Sequence, residues 1–309
     1  MSAMQPPSCY VGRLAPSPTG ALHLGNVRTF MIAYLRARQL GGRLIFRMED
    51  LDHPRDKPGA AAGAIEDLRW LGFEWDESYV QSERLEFYRA ALEQLHDRGL
   101  VYPCICSRRD VESAQSAPHA GEQLHYPGTC RGRFATWAEA FAAKGAAPCW
   151  RYRVEPGTLV SFKDVFAGRY EQDVSSVLGD FPVARDEFGA GYTLAAVVDD
   201  AAMGVTEVVR GDDLKPATPA QILLQRALGL PTPSYCHVPL VVGADGRRLA
   251  KRHGDTRIAA YRAMGCSPRS VLGFLAASCG WAEKNEEVSL AELIERFDLA
   301  TIPRAPFMV

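Results

Sequence analysis

The sequence predicts an α/β protein: a doubly wound, Rossmann-like parallel sheet with an insertion and a short helical C-terminal region. Three observations point there. A strand-like run, a turn, a helical period and a second strand-like run succeed one another between Tyr10 and Met48. Strand and helix patterns alternate again from Phe181 onward, and a cysteine-bearing, glycine-rich stretch interrupts the regularity from Cys104 to Cys130.

The elements follow in order. "YVGRLA" (residues 10–15) is a mostly apolar strand that stops at two prolines and a glycine. From Asn26 the residues Phe30, Ala33, Tyr34 and Ala37 recur at helical spacing, Gly41 and Gly42 end that pattern, and "RLIFRM" is a second strand. Such a βαβ unit puts Pro16 to Gly25 at the carboxyl end of the first strand, where open parallel sheets bind ligands. Ser82 is expected to cap a helix with a core face of Leu85, Tyr88, Leu92 and Leu95, closed by Gly99. "CWRYRV" and "LVSFKDVF" read as strands of the insertion, after which "FPVARD", "YTLAAVVDDAAMG", "VTEVVRG" and "TPAQILLQRALGL" resume the alternation. Ser267 and Pro268 start one late helix, and "SLAE" from Ser289 is a capping box for another. The expected organisation is a leader (1–9), a Rossmann-like body (10–103 and 181–245), an insertion (104–180) and a basic loop with a helical region (246–309).

Composition limits the functions. Lys and Arg number 35 against 37 Asp and Glu, so no whole-chain basic field draws nucleic acid, and RNA contacts would have to be local. No apolar run approaches the roughly 20 residues of a membrane span. The leader lacks a basic start and an apolar centre, so no secretion signal is expected and the cytoplasm is the expected compartment. Eight cysteines in such a chain suggest thiols or a metal site more than disulfides.

Two stretches carry the chemistry of a nucleotide site. His23 followed by Gly25 at a helix start offers a donor to phosphate oxygens, and the glycine lets a base lie against the backbone; capping its own helix is the plainer role. "RRLAKRHGD" (residues 247–255) is a basic loop beyond the strand "YCHVPLVVGADG", and Lys251 there is placed to stabilise charge on a triphosphate, unless the run is a solvated turn. In the insertion, "CICSRRD" and "YPGTC" bring Cys104, Cys106, Tyr126 and Cys130, with His119 and His125 as competing fourth ligands. Structural zinc and ordinary free thiols are both open on spacing alone. Cys9, Cys149, Cys236, Cys266 and Cys279 are assigned to packing.

Together, "APSPTGALHLGN", "RMED", "VVRGDDL" and "RLAKR" resemble the signatures of class I aminoacyl-tRNA synthetases of the glutamyl branch, from Tyr10 to about Asp298. The resemblance implies ATP held by His23, Gly25, Asn26, Arg248 and Lys251, with Mg²⁺ accompanying the ATP and His23 and Lys251 as the catalytic pair. Asn26 stands where the signature has a second histidine, and Arg248 and Ala250 where lysine and serine are common. The amino acid implied is glutamate. Its two carboxylates and one ammonium ask for about two guanidinium groups and one carboxylate, which Arg13, Arg210 and Glu49 supply at strand ends. The resemblance adds Ser17 and Tyr192 beside them, and favours Tyr126 as the fourth ligand of a closed, structural zinc site.

The short members of this branch that lack an anticodon reader are the glutamyl-Q tRNA(Asp) synthetases. What this resemblance implies is formation of glutamyl-adenylate from glutamate and ATP without tRNA. Transfer to the queuosine base at the wobble position of aspartate tRNA then follows, with no DNA, membrane or obligate protein partner. The rivals are an acceptor-end glutamyl-tRNA synthetase without its anticodon reader, a small-molecule nucleotidyltransferase, and a tRNA-binding module without catalysis.

Overall fold

In β1 (Val11–Leu14) every residue is buried, the mark of a strand covered on both faces. α1 (Leu24–Gln39) carries the chain over to β2 (Arg43–Met48), which runs parallel to β1 with Arg13 opposite Ile45. The structure is a computed structural model that describes residues 10–51, 56–114, 124–187, 189–247, 249 and 255–309; the leader, His119, Arg248, Ala250 and Lys251 lie outside them. α2 (Ala60–Trp70) leads to β3 (Glu77–Val80), parallel to β2, and these two elements extend the sheet beyond the sequence expectation.

α3 (Leu85–Asp97) buries Tyr88, Ala91, Leu92 and Leu95, whereas Leu85 is 44 % exposed. Ser82 does not cap it. Its backbone N–H and its hydroxyl both donate to the Asp50 carboxylate, at 2.9 and 2.6 Å, and a charged acceptor outcompetes the capping role. Gly99 has φ of 66°, the left-handed stop that the sequence suggests.

β4 (Val101–Cys104) starts an antiparallel layer. After α4 (Arg108–Ala114) and α5 (Trp137–Lys144), β5 (Cys149–Tyr152) pairs with β4 so that Cys149 faces Cys104 across the ladder. A hairpin of β6 (Leu159–Asp164) and β7 (Gly168–Asp173) and the single turn α6 (Val174–Val177) come next. β8 (Phe181–Ala184) then adds to β5 antiparallel.

α7 (Tyr192–Ala202), β9 (Glu207–Gly211), α8 (Thr218–Leu228) and β10 (Ser234–Val238) resume the winding, with β9 and β10 parallel. β9 lies beside β1, where Thr206 N–H donates to the Val11 carbonyl at 2.9 Å. The three-stranded sheet β3-β2-β1 and the pair β9-β10 thus lie side by side, and the chain order turns back between β1 and β9, the place where a doubly wound fold opens a crevice. β11 (Val241–Val242), α9 (Ile258–Ala263), α10 (Pro268–Ala277), α11 (Leu290–Arg296) and β12 (Phe307–Met308) complete the chain, and β12 pairs with β11. Ser267 and Ser289 cap their helices as their spacing predicts.

Period-two alternation supplies both core layers. Leu44, Phe46 and Met48 of β2 join α1 and the C-terminal helices, while Ile45 joins Val11, Leu95, Leu194 and Leu224 on the other face. Each fully buried leucine adds about 1.5–3 kcal/mol, which fixes the strand ends that carry the site.

Candidate active site

A cavity of about 470 Å³ opens at the carboxyl ends of β1, β2 and β9. His23 sits at its rim as the N-cap of α1. Its Nδ1 accepts from the backbone N–H of Gly25 at 3.1 Å and of Asn26 at 3.3 Å, and the Asn26 amide oxygen accepts from His23 N–H at 3.1 Å. Because Nδ1 is an acceptor, a neutral ring carries its proton on Nε2. The capping role and a donor role thus occupy different edges of one imidazole. A Cβ on Gly25 would lie 3.0 Å from that ring and press on the folded-back histidine, which glycine avoids.

Arg13, Ser17, Glu49, Tyr192 and Arg210 line this same cavity with His23, Gly25 and Asn26. The two arginines and the glutamate are buried, and each is held from behind. Arg13 Nη1 donates to the Val209 carbonyl at 3.1 Å, and its Nε lies 3.6 Å from Asp200 Oδ1. Glu49 is gripped by Arg47 Nη2 at 3.0 Å. Burial pushes the Glu49 carboxyl up, and Arg47 and Arg13 oppose that shift. Tyr192 is 37 % exposed as a residue, yet desolvation within the cavity, reinforced by Glu49, raises its phenol against Arg210 and Arg13. Tyr192 is the first residue of α7, whose cap is Gly191, so its hydroxyl has no capping duty.

Behind these residues lies a charge network that sequence reasoning missed. Arg47, fully buried, donates to Asp200 Oδ1 at 2.7 Å and has its Nε 3.8 Å from Asp199 Oδ2. Asp199 also accepts from Gln81, Arg84 and Tyr88. Asp199 and Asp200, both buried, therefore orient the helix bearing Tyr192. Arg210 has its own support: Nε donates to His237 Nε2 at 3.0 Å and Nη2 to Thr218 Oγ1 at 2.8 Å. An arginine amid the apolar "RLIFRM" and a histidine in "YCHVPLVV" were the available signals.

Arg248 and Lys251 lie outside the described residues, but the chain on either side reaches the cavity. Leu240 and Val241 line it, and beyond the loop Leu24 N–H donates to the Thr256 carbonyl at 3.0 Å and Ile258 N–H to that of Leu22 at 2.9 Å.

In the insertion the sulfurs of Cys104, Cys106 and Cys130 all lie within 4.8 Å of one another. Tyr126 Oη is 3.2 Å from Cys104 Sγ and 3.7 Å from Cys106 Sγ, and Cys106 and Cys130 are 3.6 Å apart. A tetrahedral zinc ion with three sulfur ligands and one oxygen asks for S···S near about 3.8 Å and S···O near about 3.5 Å, so the donor set fits. His125 turns away: its Nε2 lies 3.2 Å from the Ser175 carbonyl oxygen. Arg151, also unread in the sequence, donates to Cys104 Sγ at 3.2 Å and lies 3.7 Å over the Tyr126 ring. Cys149, expected only to pack, lies against this cluster. Cys149, Tyr126 and Arg151 together lower the Cys104 thiol, whereas burial raises that of Cys106, so metal binding would release the Cys106 proton.

Residues 10–307 match the family of class I tRNA synthetases (E and Q), catalytic domain, which defines the class of this fold and site. A glutamate-tRNA synthetase structure from Elizabethkingia anophelis superposes with a TM-score of 0.82 at 28 % identity, over 97 % of this chain and 68 % of that one. A glutamyl-Q tRNA(Asp) synthetase from Symbiobacterium thermophilum is 49 % identical across 96 % of this chain and 95 % of its own, and one from Rhodopirellula baltica 46 % across 98 % and 97 %. The chain belongs to the glutamyl-Q tRNA(Asp) synthetase family of class I ligases. No helix among the described residues is long and apolar enough to cross a membrane.

Proposed function

We propose that the chain activates glutamate with ATP, without tRNA, and transfers it to the queuosine base at the wobble position of tRNA(Asp). The observation that carries the first step is the charge set of one cavity: Arg13 and Arg210 for the two carboxylates and Glu49 for the ammonium, with Ser17 and Tyr192 hydroxyls beside them. Leaving any of these charges unmatched when buried would be costly, so the set selects a dicarboxylic amino acid over a neutral one. His23, Gly25 and Asn26 receive the ATP, accompanied by Mg²⁺. The α-carboxylate of glutamate attacks the α-phosphate, pyrophosphate leaves, and His23 with Lys251 shares the developing negative charge. A hydroxyl of the queuosine ring then attacks the activated carbonyl and displaces AMP. Positioning and charge stabilisation suffice for both steps.

Support for the queuosine acceptor comes from the names and end-to-end similarity of the relatives. Cys104, Cys106, Tyr126 and Cys130 would hold a structural zinc ion, which leaves no open position for chemistry. The deciding experiment offers labelled glutamate, ATP and Mg²⁺ with tRNA(Asp) prepared with and without queuosine. Label confined to the queuosine-containing tRNA, and abolished when that tRNA is oxidised with periodate before the reaction so that its queuosine cis-diol is already cut, is expected. Label on a glutamate-family tRNA without queuosine would sink this reading in favour of acceptor-end charging.

A further inference from the structure

His237 and Asp164 belong to neither the nucleotide turn nor the lining of the cavity, yet both are fully buried directly behind Arg210. His237 Nδ1 lies 2.6 Å from Asp164 Oδ2. Its Nε2 receives the Nε–H of Arg210 at 3.0 Å. A guanidinium donates and never accepts, so Nε2 carries the lone pair and Nδ1 the proton that goes to Asp164. Asp164 is itself fixed by the backbone N–H groups of Phe166 at 3.0 Å, Ala167 at 2.7 Å and His237 at 3.2 Å. Thr218 Oγ1 takes the Nη2 of the same arginine at 2.8 Å. With Nε and Nη2 both tied, the guanidinium plane cannot turn about its stem. Asp164 ends β6, in the insertion, so this chain of bonds links the insertion to the substrate cavity.

We infer that Asp164 and His237 are positioning residues for Arg210, holding its guanidinium, through one imidazole tautomer, in the plane that pairs with a carboxylate of bound glutamate. This inference rests on the reading that the cavity takes glutamate. A guanidinium left to rotate would still attract a carboxylate but would lose bidentate geometry, so the loss falls on glutamate binding and not on ATP.

The test is glutamate-dependent ATP–pyrophosphate exchange by the full chain, with KM measured separately for each substrate. His237→Leu is expected to raise the glutamate KM about tenfold or more with the ATP KM within about twofold. His237→Gln restores an acceptor near Arg210 Nε and is expected to recover most of that loss. Thr218→Val, which removes the bond to Nη2 together with the hydroxyl's contacts to His237 Nε2 at 3.2 Å and to the Leu214 carbonyl at 3.4 Å but leaves the bond from Arg210 Nε in place, should raise the glutamate KM by a smaller factor. An unchanged ATP KM shows that each variant is folded. Leucine and glutamine variants with the same glutamate KM, or equal changes in both KM values, would overturn the positioning role while leaving the glutamate reading intact. A parent chain with no glutamate-dependent exchange would overturn that reading, and this inference with it.

Discussion

Arg47 of β2 and Asp200 of α7, 153 residues apart in sequence, are joined by a 2.7 Å hydrogen bond in the buried layer behind the cavity. The same guanidinium holds Glu49, and its surroundings include Asp199 and Arg13. Removing it would leave buried carboxylates without their cation. Arg47→Met is therefore expected to destabilise the fold by about 3–5 kcal/mol, read as a lower urea midpoint. Arg47→Lys should recover only part of that, because an ammonium cannot span Asp200 and Glu49 in one plane. A midpoint unchanged in the methionine variant would show that the network contributes nothing net.

Arg151 supplies the next expectation. Its guanidinium would neutralise part of the charge that three thiolates and a phenolate would gather around the proposed divalent ion, and its hydrogen bond orients Cys104. Arg151→Gln is expected to weaken zinc retention by about 10–100-fold, measured by competition with a chromophoric chelator and by metal content after dialysis. Equal retention in parent and variant would reduce Arg151 to a packing role.

What the sequence made legible, and what it did not, divides by range. The turn at Pro16 to Gly25 was readable because proline, glycine and the three-residue spacing from His23 to Asn26 act locally, and the Ser267 and Ser289 caps were readable for the same reason. Arg13, Glu49 and Arg210 could be gathered at one edge by counting strand ends. Arg47 with Asp200 and Arg210 with His237 could not, since their meaning lies in pairing across strands and helices far apart in sequence. Ser82 misled for a related reason: its local pattern fits a cap, but Asp50, 32 residues earlier, is the stronger partner. Of the nucleotide pair, His23 is placed at the cavity, whereas Lys251 lies outside the described residues.

His23 caps α1, and substitution can separate that duty from the proposed donation to ATP. Asparagine caps helices well, so His23→Asn is expected to keep the stability of α1 while removing the ring Nε2 donor. Pyrophosphate exchange should fall by about 10²–10³-fold with the urea midpoint unchanged. His23→Ala should lose the same activity and about 1 kcal/mol besides. Full exchange activity in the asparagine variant would confine His23 to capping.

The last expectation concerns pH. Burial holds the His237 imidazole below its ordinary pKa, with Asp164 opposing that shift and Arg210 and Lys215 adding to it. Phe162 faces it from β6 and Tyr235 from its own strand β10, neither carrying charge in this range. The unfolded chain thus takes up a proton on this residue at a higher pH than the folded chain does. Its contribution to stability is complete above about pH 6.5 and is lost as pH falls toward the depressed folded value. Asp164 is shifted down as well, chiefly by its bonds from His237 and Ala167 overcoming burial, so its contribution drops away only below the ordinary carboxylate range. Protonation at Nε2 also removes the acceptor for Arg210 and sets two cations side by side. The glutamate KM is therefore expected to stay level above about pH 6.5 and to climb on the acid side while the ATP KM changes less. In His237→Gln that acid limb should flatten, because the amide does not titrate. An acid limb of equal steepness in the glutamine variant would place the titrating group elsewhere in the cavity.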